Sequence, residues 1–76
     1  MKRYSVTDYE DGRSRDLPDL EETAAKTPAG FLALFYRRNR NASRGAFACL
    51  GPDADGAYAI YTKAGSYPVE RYRPVR

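Results

Sequence analysis

Histidine and tryptophan are both missing from this chain, and cysteine and methionine occur once each. Without histidine there is no Ser-His or Cys-His pair, and the commonest metal ligand is gone. With Cys49 as the single cysteine, no disulfide can form within the chain. No apolar run approaches the roughly 18 residues of a membrane span. Met1-Lys2-Arg3-Tyr4-Ser5 is charged and leads into no apolar stretch, so no signal peptide is expected. One free cysteine and no export signal fit a reducing cytoplasm. Asn41-Ala42-Ser43 matches a glycosylation acceptor, which in that compartment is simply a polar loop.

What is present is short and patchy. The 76 residues make one small domain. A chain of this length buries only about 60% of the surface it exposes when unfolded, so its stability is marginal. The net charge of +3 is mild, but its distribution is segregated. Asp16, Asp19, Glu21 and Glu22 face Lys26 alone in residues 16–30. Arg37, Arg38, Arg40 and Arg44 stand in residues 37–44 without an acid, and Arg71, Arg73 and Arg76 outnumber Glu70 in the tail. Patches of one sign suit an anionic partner better than an even mixture does.

The one continuous apolar block is Phe31-Leu32-Ala33-Leu34-Phe35-Tyr36. Residues 3–9 alternate like a half-buried strand, Asp11-Gly12 reads as a hairpin turn, and Arg13 to Leu17 reads as a brief second arm. Asp19 with Glu22 resembles a capping box, with acids in a first turn and Leu20 and Ala24 on one face. That predicts a short helix near 18–27, ended by Thr27-Pro28-Ala29-Gly30.

The apolar block has two readings. As a helix capped by Thr27-Pro28 it would run to Arg38, but it would be apolar nearly all round. As a central strand it would be apolar on both faces, which such strands tolerate, and this reading is preferred. Further strands are expected at Ala46–Leu50 and Ala57–Lys63, with turns at 51–56 and 64–66. Tyr67–Arg73 reads as an edge strand because Pro68 disfavours a central place and Pro74 ends it.

The sum is an α+β fold. A small antiparallel sheet of four or five strands carries one short helix near 18–27 on one face, with a second helix at 28–38 as the alternative. One short helix covers only one sheet face. The other must be polar, made of small residues such as Ala46, Ala48, Ala57 and Ala59, or covered from outside, by a foreign partner or a second copy.

No constellation here points to catalysis, a metal or a cofactor. Cys49 falls inside an expected strand and reads as an inert thiol. Asp53-Ala54-Asp55-Gly56 opens like a calcium loop, but Tyr58 and Tyr61 occupy the region where further oxygen ligands belong, so it reads as a turn. The informative polar feature is Arg37, Arg38, Arg40 and Arg44 around two asparagines and a serine, since Arg binds phosphate or carboxylate bidentately. Tyrosine, with seven copies, is the other excess, and it offers stiff contact area with a polar tip.

In size and composition the chain resembles the small inhibitors that phages and mobile elements encode against host defence, anti-CRISPR proteins among them. The resemblance spans the whole length and attaches to no particular motif. It implies a stoichiometric binder that occludes a host protein or a protein–nucleic acid complex. The expected contact residues are Arg37, Arg38, Arg40 and Arg44, supported by Tyr36, Tyr58, Tyr61 and Tyr72. The alternative is direct nucleic-acid binding by the basic 37–44 segment.

Overall fold

The computed structural model describes residues 1–10 and 13–75. Strands β1 (Lys2–Glu10) and β2 (Arg13–Thr23) are followed by helix α1 (Pro28–Arg38). Strands β3 (Phe47–Leu50), β4 (Tyr58–Thr62) and β5 (Pro68–Pro74) complete the chain. The strands form one sheet in the order β2-β1-β5-β4-β3, with every neighbouring pair antiparallel. A hairpin (β1–β2) and a meander (β3–β4–β5) are thus joined through β1 and β5. The α+β reading holds, with one helix packed on one face of a five-stranded sheet.

The helix is not where the capping-box signal put it. Residues 18–23 continue β2, and the helix is the alternative at 28–38. Thr27 caps it, its Oγ1 accepting from the Gly30 N–H at 3.1 Å, and Pro28 takes a first-turn position that needs no donor. The block is amphipathic after all. Phe31, Leu34 and Phe35, at i, i+3 and i+4, are buried, Leu32 and Tyr36 are half-covered, and Ala33 faces solvent. The strand reading of 31–36 failed because a small outward residue and a tyrosine tip suffice to make the remaining face wettable.

The acids that suggested a helix start have another place. β2 is an edge strand, and between Ser5↔Leu20 and Thr7↔Asp16 its register slips against β1. Acidic side chains and a bulge both discourage a foreign strand from adding to an edge. The Asp11-Gly12 turn lies outside the described residues; the strands flanking it pair Glu10 with Arg13. β5 is central rather than an edge, because Pro68 and Pro74 sit at its two ends, where a missing ladder donor matters least.

The core lies between α1 and one sheet face. Tyr4, Val6, Tyr58, Ile60 and Tyr72 rise from β1, β4 and β5 to meet Phe31, Leu34 and Phe35. Phe31 is the hub. Its ring stacks on Tyr58 at 4.1 Å between centroids, meets Tyr4 edge-on at 5.0 Å and lies 5.3 Å from Tyr72. Such aromatic pairs add roughly 0.5–1.5 kcal/mol each beyond the area they bury.

Candidate binding site

The four arginines of the 37–44 segment divide into one that faces inward and three that face out. Arg37 and Arg38 occupy the last turn of α1, where the helix dipole favours cations. Arg38 turns back across the sheet. Its Nη1 lies 3.1 Å from Glu21 Oε2 on β2, and its Nε lies 3.7 Å from Glu70 Oε1 on β5. Glu70 is only 5% exposed and is saturated by neighbours. Asn39 Nδ2 donates to its Oε2 at 3.2 Å, and the Tyr72 hydroxyl donates to its Oε1 at 2.9 Å. Burial and the adjacent Glu70 charge push the Tyr72 phenol far above its ordinary pKa, so it remains a donor. Arg38 therefore neutralises a buried carboxylate and is committed within the fold.

Two of the expected aromatic contacts are likewise internal. Tyr72 is fully buried, and Tyr58 is buried with its hydroxyl donating to the Lys26 carbonyl at 2.8 Å. Neither ring lies at the surface beside the arginine loop, so neither supports a partner there. Their even spacing with Ile60 and Glu70 on β4 and β5 is that of the covered sheet face.

Arg37, Arg40 and Arg44 are exposed, and none has an ion-pair partner among the described residues. The loop that carries two of them is ordered by its own bonds. Ala42 N–H donates to Asn39 O at 3.0 Å and Ala46 N–H to Ser43 O at 3.1 Å. The Gly45 N–H donates to the Tyr36 hydroxyl at 3.0 Å, with Gly45 at φ +90°, a conformation side chains resist. The Arg44 guanidinium then lies over the Tyr36 ring, 5.5 Å from its centroid. Tyr36 is half-buried against Phe35 and Phe47. A fixed aromatic thus holds the loop and one of its arginines. Beside it opens a cleft of about 440 Å³, rimmed by Asp8, Arg40, Asn41 and Glu70 above Phe35 and Phe47.

Tyr61 points away from this site. It and Ala59 alternate with buried Tyr58 and Ile60, which places them on the sheet face that α1 leaves open. Sequence reading counted the residues that dominate that face, Arg71 and Arg73, only as tail charge. Arg71 Nη2 lies 2.8 Å from Asp53 Oδ2. Arg73 Nη2 lies 3.1 Å from Asp16 Oδ1, which also accepts from Thr7, and 3.3 Å from Ser5 Oγ. The signal was present as Arg71 and Arg73 alternating with Tyr72 in one strand. The Arg71 bond, with backbone donors from Ala57 and Asp55, holds the Asp53 carboxyl below its ordinary pKa. Asp53 caps the turn that resembled a calcium loop. Among the described residues no group of three His, Cys, Asp or Glu is placed to hold a metal ion, and no helix is long and apolar enough to cross a membrane.

Cys49 sits on β3, half-buried on the helix side opposite Ile60. Burial pushes its thiol up to about 11, partly offset by a backbone bond from Ala59. When the chain is compared with known proteins, no family model, no curated protein and no solved structure matches it.

Proposed function

We propose that this chain is a non-enzymatic binding protein that acts by covering an acidic surface of a protein or of a protein–nucleic acid complex. It would work in the manner of the small inhibitors that phages and mobile elements direct against host defence. The observation that supports this reading is the division of the arginines. Among the described residues, the fold neutralises Arg38, Arg71 and Arg73 with its own carboxylates and leaves Arg37, Arg40 and Arg44 without one. The loop backbone between them is already held by its own bonds, so the freedom lost when they meet carboxylates or phosphates is that of the side chains.

A protein surface is favoured over bare nucleic acid by the placement of the tyrosines. Base-stacking binders present aromatic rings along a basic groove. Here Tyr58 and Tyr72 are in the core, and Tyr36 and Tyr61 lie on opposite sides of the sheet. The test is quantitative capture from nuclease-treated lysate of the source cell, comparing the wild type with R37A/R40A/R44A. The expected result is a stoichiometric partner held by the wild type and lost by the variant, whose melting temperature is unchanged. Retention by the variant overturns the assignment. Capture only while nucleic acid is intact, with affinity falling log-linearly in salt, supports direct phosphate binding instead.

A further inference from the structure

At the end of the sheet away from the arginine loop, three chain segments converge on a cavity of about 750 Å³. Met1, Lys2 and Tyr4 come from β1 and its start. Thr23 to Lys26 come from the end of β2 and the link to α1, and Pro52, Gly56 and Tyr58 from the β3–β4 loop and β4. Its inner wall is firm. Tyr4 and Tyr58 are buried, and both pack against Phe31. The Tyr58 hydroxyl is anchored on the Lys26 carbonyl, which fixes the link to the sheet.

The charged groups of this cavity are of one sign. Lys2 and Lys26 line it, and among the described residues no acidic one does. Neither lysine has an ion-pair partner among the described residues. Thr23 is 9% exposed, and its Oγ1 accepts from the Ala25 N–H at 3.0 Å. That bond uses an oxygen lone pair and leaves the hydroxyl hydrogen free to donate. Two acids, Glu22 and Asp55, line an adjoining cleft that shares Met1, Lys2, Tyr4 and Gly56 with the cavity, and Glu22 stands opposite Arg3 in the β1–β2 register.

We infer that this cavity binds a small amphipathic organic anion. A flat apolar body would lie along Tyr4, Tyr58 and Pro52, and its carboxylate or sulfonate would meet Lys2, Lys26 and the Thr23 hydroxyl. The volume falls in the range of small-molecule sites, and apolar walls with a few convergent donors are their usual make-up. The inference is independent of the arginine loop, which lies at the other end of the sheet.

The experiment uses two dyes that share an aromatic body, 8-anilinonaphthalene-1-sulfonate and the uncharged N-phenyl-1-naphthylamine, titrated against the folded chain. The sulfonate should bind one per chain, and the uncharged dye at least about tenfold more weakly, the ratio expected from one charge-assisted bond. K2A/K26A replaces exposed residues and should lower sulfonate affinity by about tenfold while leaving the far-ultraviolet spectrum unchanged. Thr23→Val should weaken binding and Thr23→Ser should retain it, and R40A/R44A should have no effect. Amide shifts on binding should centre on residues 23–26 and 56–58. Equal affinity for the two dyes, unaltered binding by K2A/K26A, shifts centred elsewhere, or no saturable binding would each overturn the inference. The lysine variant decides the matter even if Thr23→Val fails to fold.

Discussion

The two faces of the sheet are built from the same strands on opposite principles. Beneath α1, Tyr4, Val6, Tyr58, Ile60 and Tyr72 close around Phe31, and the one carboxylate buried there among the described residues, Glu70, has Arg38, Asn39 and Tyr72 as partners. On the open face, Arg71–Asp53 and Arg73–Asp16 tie the sheet to a loop and to an edge strand, with Ala48, Ala59 and Tyr61 between and beside them. The difference shows how a short chain with few apolar residues manages a five-stranded sheet. It concentrates its greasy side chains under one helix. It then keeps the other face wettable with ion pairs, which contribute specificity of register more than free energy.

That contrast can be broken hardest at its hub. Phe31→Ala should destabilise by about 3–5 kcal/mol, a large part of what so small a domain possesses, and abolish a cooperative thermal transition by circular dichroism. Next comes the buried polar network. Glu70→Ala leaves Arg38 without its inner carboxylate and should cost about 3 kcal/mol in urea denaturation. Tyr72→Phe removes only one donor and should cost about 1–3 kcal/mol, which separates the hydroxyl from the ring.

The open face should respond far less. Asp53 has a folded pKa below its ordinary 3.8, so the unfolded chain binds its proton first. The stability it contributes is complete above about pH 4 and is lost as the pH falls through the folded value. In Arg71→Ala, carboxyl titration by NMR should move Asp53 back toward 3.8, and the acid limb of the stability profile should flatten. Smallest of all, Leu50→Ser alters a side chain that is 63% exposed and should change stability by no more than about 0.5 kcal/mol. A loss at Leu50 comparable to that at Glu70 would mean that the open face is not open in solution.

The strands were legible where burial alternates. Residues 57–63 read as a strand because Tyr58 and Ile60 face the core and Ala59 and Tyr61 do not, and β1 follows the same logic through Tyr4 and Val6. The acids at 16–22 were misread because their meaning is not local. Glu21 acts on Arg38, 17 positions away, and Asn39 acts on Glu70, 31 away. No window of a few residues contains either pairing. The cap Thr27-Pro28 was visible, and it was outweighed by an argument about apolar coverage that Ala33 and Tyr36 defeat. Of the candidate site, the arginine cluster was visible as composition. Which member would turn inward depended on where β2 and β5 came to rest.

The half-covered thiol on β3 gives the molecule a clock of its own. Burial pushes the Cys49 thiol up to about 11, so very little of it is ionised at neutral pH. An alkylating reagent therefore reacts slowly with the packed strand and faster wherever β3 parts from its surroundings and releases an ordinary sulfur. The pace at which the wild-type chain takes up a maleimide would then report how often that side of the sheet opens, and would need no engineered label.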